Sequence, residues 1–160
     1  NILYFVHADV GIHPDFVLDI RQALYEGSGA GCYRYRFDRD KPIGLRFNAY
    51  CTRFNRIWCR GGDQTLFIRK SDFERLGRFR EDHRIMEDYD FIVRVQRVLR
   101  FKIIPKNVVV SSRKYKQNGY FRVNFANFVV FSMYFLDFSQ DQLIRTYKAL
   151  IRTEKYGVGS

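Results

Sequence analysis

Four short segments carry the residue types that could do chemistry. The run Arg84-Ile85-Met86-Glu87-Asp88-Tyr89-Asp90-Phe91 sets three carboxylates within four positions, just ahead of an amphipathic pattern. A carboxylate there can take a proton from a hydroxyl as general base. An acid at a helix start is also electrostatically favoured, so a capping role for Asp88 stands beside the catalytic one. Asp90 reads as a solvent-facing helix residue. His7-Ala8-Asp9 follows the apolar run 2–6. An Asp at the carboxyl end of a strand can hold a divalent ion that neutralises a diphosphate. His7, on the same strand side, could bond a phosphate or act as a softer ligand that favours Mn²⁺ over Mg²⁺. A turn Asp and a packed His are the plain alternatives. Gly61-Gly62-Asp63-Gln64 combines permissive backbone with polar side chains suited to sugar hydroxyls, or forms a turn feeding a hairpin. In Ser111-Ser112-Arg113-Lys114-Tyr115-Lys116 the cations could meet a leaving diphosphate, and Tyr115 could stack on a sugar or base. A solvated basic turn is the alternative there.

These segments need elements to position them. Residues 2–6 read as a buried strand. A helix follows, with His13 near its cap, Pro14 in its first turn, and Phe16, Val17, Ile20, Ala23 and Leu24 on its core face. Gly27-Ser28-Gly29 ends it. Residues 30–37 alternate as a strand does. Residues 44–60 carry a helical period, with Phe47, Tyr50, Cys51, Phe54, Ile57 and Trp58 on one face. Arg46, Arg53, Arg56 and Arg60 make a basic stripe that is either solvated or set against a membrane or acceptor phosphate. Residues 65–68 form a short strand. Ser71-Asp72-Phe73-Glu74 predicts a capping box that opens a short helix, stopped at Gly77. A polar loop spans 78–86. The next helix shows Phe91, Ile92, Val95, Val98 and Leu99 on one face, with Arg94 and Arg97 opposite. Residues 102–104 and 107–112 are β-rich, broken by Pro105, and a basic turn follows at 113–119. No charge occurs from 123 to 136. That segment is too short to span a bilayer, and reads as a buried helix or one lying partly in a membrane interface. Ser139-Gln140-Asp141-Gln142 is a second capping box, opening a last helix with Leu143, Tyr147, Leu150 and Ile151. The alternation of strands and helices predicts an α/β layer fold with some antiparallel pairing.

The chain has 160 residues, 46% of them apolar, enough for one domain with a real core. Its net charge of +11 points to a polyanionic partner: a nucleotide diphosphate, a nucleic acid or an anionic membrane surface. No zinc-finger, helix-turn-helix or RNP-type signature occurs, which argues against nucleic acid. The three Cys and three His lie at no zinc-ligand spacing, and the cysteines read as reduced thiols in a cytoplasmic protein.

Taken in order, Val6-His7-Ala8-Asp9, Gly62-Asp63-Gln64, Met86-Glu87-Asp88 and Ser111-Ser112-Arg113-Lys114-Tyr115 resemble the motifs of family 2 glycosyltransferases. The bacterial subgroup with His-Ala-Asp, Gly-Asp-Gln and Met-Glu-Asp stretches is the nearest. The resemblance runs from residue 2 to about 150. It implies a GT-A-like mixed sheet flanked by helices, with C-terminal helices over about 120–156. It also implies a chain that is the C-terminal portion of a longer enzyme, lacking the first nucleotide-binding βα units. The implied activity is inverting, metal-dependent transfer of a sugar from a nucleotide-diphosphate donor to an acceptor hydroxyl, the acceptor being a carbohydrate or lipid-linked. Asp88 would be the base with Glu87 beside it. Asp9 and His7 would hold the metal (Mn²⁺ or Mg²⁺) and diphosphate, His7 standing where the family has the first Asp of Asp-x-Asp. Gly62, Asp63 and Gln64 would line the acceptor side, and Arg113, Lys114 and Tyr115 would steady the diphosphate. A peripheral place at the inner face of the membrane fits the basic surface, and apolar surface left by a missing half would favour homo-oligomers.

Overall fold

A computed structural model of the chain describes residues 1–39, 42–60 and 64–152. In chain order these form β1 (Ile2–Phe5), β2 (Val10–Gly11), α1 (Phe16–Tyr25), β3 (Ala30–Phe37), α2 (Ile43–Cys51), a 3-10 turn (Ile57–Cys59), β4 (Leu66–Arg69) and α3 (Lys70–Arg75). They continue as α4 (Glu87–Val98), β5 (Phe101–Val110), α5 (Arg113–Asn118), α6 (Tyr120–Phe135) and α7 (Gln140–Leu150). The fold is mixed α/β, with five strands in one sheet ordered β1-β4-β3-β5-β2. Strands β3 and β5 run parallel, and the other neighbours are antiparallel. Two compact units are present. The first comprises Asn1–Arg80 and Asp88–Ser111. The second comprises Glu81–Glu87 and the chain from Ser112 onward.

The first unit is layered, because alternation along each strand sends successive side chains to opposite faces. Tyr33, Phe67, Ile104 and Val108 pack against Ile20, Ala23 and Leu24 of α1. Ala30, Leu66 and Ile68 pack on the other face against Phe91 and Val95 of α4, with Phe73 and Phe79 beside them. Val17, expected on the core face of α1, is instead exposed. Gly31 is required where β3 is most closely packed. A Cβ there would sit 2.2 Å from the Lys102 carbonyl oxygen and 2.5 Å from Phe67.

Strand β1 is not the buried strand its apolar run predicts. It lies at one end of the strand order, with Ile2 and Val6 exposed. Strand β5 is continuous through Pro105 rather than broken. The register steps from Tyr33↔Ile104 to Arg34↔Asn107, so Pro105 sits in a bulge that needs no ladder N–H. Ser71 caps nothing. Lys70 N–H donates to the Asn1 carbonyl (3.0 Å), β4 runs straight into α3 with Arg69 at its cap, and Asp72 pairs with Arg75 (2.7 Å). Helix α2 stops at Cys51 rather than near 60. Thr52 donates its hydroxyl to the Ala49 carbonyl (2.6 Å) and accepts from Tyr35 N–H (3.4 Å), so its side chain serves β3 instead of extending the helix.

In the second unit α6 packs on α7, with Val123, Ala126 and Val130 the buried residues of α6 and Leu143 and Tyr147 those of α7. The expectation of a buried helix holds for one face only, since Phe121, Phe125 and Phe128 are exposed. The basic turn at 113–119 is the short helix α5, ended by Gly119 at φ 79°. The Ser139 capping box is present: Ser139 Oγ accepts from Gln142 N–H (3.3 Å) and Gln142 Oε1 accepts from Ser139 N–H (2.9 Å). The 81–87 segment is held by Gln140, whose Oε1 accepts from Arg84 and Ile85 N–H (both 3.1 Å). Among the described residues, no helix is long and apolar enough to cross a membrane.

Candidate functional site

Strands β1 and β3 both run antiparallel to β4, and β5 runs parallel to β3. Strands β1, β3 and β5 therefore end at one edge of the sheet, where β4 begins. Open α/β sheets bind ligands at the carboxyl ends of their strands. Residues 7–9 lie at that edge, directly after β1, in a turn closed by Val10 N–H donating to the His7 carbonyl (3.1 Å). Because this is a turn and not a strand, His7 and Asp9 do not share a strand face as expected. Both are solvent-exposed. The next residue, Val10, pairs with Val110, so the turn adjoins the end of β5.

Gln64 precedes β4 at the same edge, but it is buried and internally engaged. Its Oε1 accepts from Arg60 Nη1 (2.9 Å), and its amide nitrogen donates to the Cys59 carbonyl (3.4 Å). Gly62 and Asp63 lie outside the described residues.

Arg60 organises this edge. Only 2% exposed, it donates from Nη1 to Cys32 Sγ (2.9 Å) as well as to Gln64, and from Nη2 to the Phe54 carbonyl. Its guanidinium lies over Phe101 at 5.7 Å. Tyr89 in turn donates its hydroxyl to the Arg60 carbonyl. This bond fastens the first turn of α4, and Asp88 with it, to the segment leading into β4. Asp88 is half-buried, and its Oδ1 accepts from Tyr89 N–H (2.8 Å). Met86, two residues earlier, takes a left-handed backbone (φ 66°) where the loop turns into α4. Asp90 is not the solvent-facing residue expected. It pairs with Arg94 (2.6 Å), which also donates to the Leu76 and Arg78 carbonyls.

The first unit thus gathers residues 7–9, Gln64 and the first turn of α4 at one edge. The second unit carries Glu87, Arg113, Lys114 and Tyr115. There the Lys114 ammonium lies over the Tyr147 ring (5.1 Å) and Tyr115 stacks with Tyr120 (6.1 Å). Among the described residues, no group of three or more His, Cys, Asp and Glu is placed to hold a metal ion. A metal that also bonds a diphosphate needs only one or two protein carboxylates, and Asp9 is a solvent-exposed carboxylate at this edge.

Two features went unread in the sequence. The first is Arg60 as a buried hub, hidden because its spacing matched an exposed stripe. The second is an ionic cluster on the α1 face. Lys106 bridges Asp19 (2.7 Å) and Asp15 (3.2 Å), and Tyr33 donates its hydroxyl to Asp19 (2.9 Å). The signal was Asp15 and Asp19 at i, i+4 with a Lys beside the β5 proline. Burial alone would raise the Asp19 carboxyl, but hydrogen bonds from Lys106 and Tyr33 outweigh it and hold the group below its ordinary value. Burial, then Asp19, push the Tyr33 hydroxyl well up.

These groups make stability depend on pH. Burial raises the Cys32 thiol from 9.0 to about 11 against the pull of Arg60. A group raised on folding contributes stability that is complete below its unfolded value and lost as pH rises through its folded one. Chemical unfolding across pH 8 to 11 should therefore show a loss of about 2–3 kcal/mol from Cys32 alone. Cys32→Ala should flatten that slope. At the acid end Asp19 acts in the opposite sense: its contribution is present above pH 4 and lost as pH falls through its lowered value.

No family model, curated protein or solved structure matches the chain. Fold and site together define a mixed α/β protein with polar and acidic side chains at the carboxyl ends of its strands.

Proposed function

We propose that the chain belongs to a metal-dependent glycosyltransferase, similar to family 2 and of GT-A type, that moves a sugar from a nucleotide-diphosphate donor to an acceptor hydroxyl. The observation that carries this is the gathering of residues 7–9, Gln64 and the first turn of α4 at one sheet edge, in the order in which the sequence resembles that family. Asp9 and His7 would hold a divalent ion, which would neutralise the diphosphate. Asp88 would take the acceptor proton as the acceptor oxygen bonds to the anomeric carbon. The bond from that carbon to the diphosphate oxygen breaks with its electron pair on the leaving group, and configuration inverts. On the sequence resemblance, Gly62 and Asp63 would bind the acceptor, while buried Gln64 would hold that segment in place through Arg60 and the Cys59 carbonyl. Arg113, Lys114 and Tyr115 would receive the diphosphate charge. A screen of nucleotide sugars, read by release of nucleoside diphosphate with Mn²⁺ present, tests the activity. Turnover that Asp88→Asn removes is expected, and turnover unchanged in that variant would refute Asp88 as base.

A further inference from the structure

We propose that the solvent face of α2 and the following 3-10 turn docks on an anionic lipid bilayer surface. The buried residue of α2 is Leu45, and the apolar side chains its sequence assigns to the core lie elsewhere. At about 100° per residue, Ile43, Phe47 and Tyr50 fall within roughly 40° of the direction opposite Leu45. They are 83%, 63% and 51% exposed, and Phe54 and Trp58 extend the surface at 49% and 68%. A helix packed on its own protein ordinarily turns polar residues outward. Here the outward stripe is the apolar one.

Its charge identifies the occupant. Arg46, Arg53 and Arg56 are exposed around the aromatic residues, and no Asp or Glu occurs from 42 to 60. The Arg53 guanidinium lies 4.8 Å from the Tyr50 ring centre, and that of Arg56 lies 6.0 Å from Trp58. Arginine heads spread at headgroup level over Trp, Tyr, Phe and Ile are the composition of a surface lying in a membrane interface. Single-stranded nucleic acid also takes arginine and stacked aromatics. Ile43, the most exposed member, offers nothing to a base but gains from acyl chains. This docking does not depend on sugar transfer, although the surface adjoins the candidate site edge, where Arg60 donates to the Phe54 carbonyl.

Trp58 is the chain's one tryptophan and sits in the surface. Its emission therefore reports docking without any substitution. The chain is titrated with vesicles of phosphatidylcholine, with vesicles containing phosphatidylglycerol, and with single-stranded DNA. A blue shift and protection from iodide with the phosphatidylglycerol vesicles alone, weakened by salt, is the expected result. Arg53→Gln with Arg56→Gln should lower partitioning roughly tenfold to thirtyfold, from about fivefold per cation, with unchanged circular dichroism. The proposal is overturned if the vesicles leave Trp58 unshifted, if they bind the chain without protecting it, or if DNA shifts it at lower concentration.

Discussion

Asp88→Asn should lower turnover in sugar transfer by about 10²- to 10⁴-fold, the range for loss of a positioned general base, while leaving the fold in place. Asparagine keeps the side-chain oxygen that accepts from Tyr89 N–H. It also leaves intact the bond from the Tyr89 hydroxyl to the Arg60 carbonyl, which ties α4 to the sheet edge. The charge is what changes. At a helix start that charge is worth only about 0.3–1 kcal/mol to stability. The two roles of Asp88 therefore separate cleanly. A base gives a large fall in turnover with a melting temperature nearly unmoved. A purely capping carboxylate gives a small stability loss and full turnover. Asp88→Ala removes both functions and does not distinguish them.

Arg60→Ala should destabilise the fold by about 2–4 kcal/mol, because it leaves buried neutral acceptors without their donor and opens a cavity. The guanidinium is 2% exposed and donates to Gln64, Cys32 and the Phe54 carbonyl. Truncation strips donors from the Gln64 amide and the Phe54 carbonyl and leaves a cavity beside Phe101. Domains of this size are stable by about 5–15 kcal/mol, so this is a large share of the total. Arg60→Met restores volume without donors and should recover only the packing part. Urea unfolding of both variants, compared at pH 7, checks the order wild type, Met, Ala. Equal stability of wild type and Ala would show that Arg60 does not hold the edge together.

The strands and most helices were legible because their side-chain periods are strong. The alternation at 30–37, the Gly27 and Gly77 stops and the Ser139 capping box all appear where the pattern places them. The errors share a cause: period identifies a face but not what covers it. Phe47, Tyr50, Phe54 and Trp58 match a core period and yet face solvent, while Arg60 matches a solvent stripe and is buried. Position in the sheet is likewise invisible in a five-residue apolar run, so residues 2–6 read as a buried strand while β1 lies at one end of the strand order. For the site, the order of motifs was legible. What brings residues 7–9 and Gln64 to one edge is pairing between strands more than sixty positions apart, as in Phe5 with Leu66, and the start of α4 joins them through the Tyr89 bond to the Arg60 carbonyl.

The central claim is a metal-dependent diphosphate site built on Asp9, and titration calorimetry of the chain with UDP and GDP, each with and without Mn²⁺, tests it most directly. Binding of at least one nucleotide that requires Mn²⁺, and that Asp9→Asn removes in a sample of unchanged circular dichroism, is the result expected. A folded chain that binds neither nucleotide, or binds equally well without Mn²⁺ or without the Asp9 carboxylate, would contradict the claim.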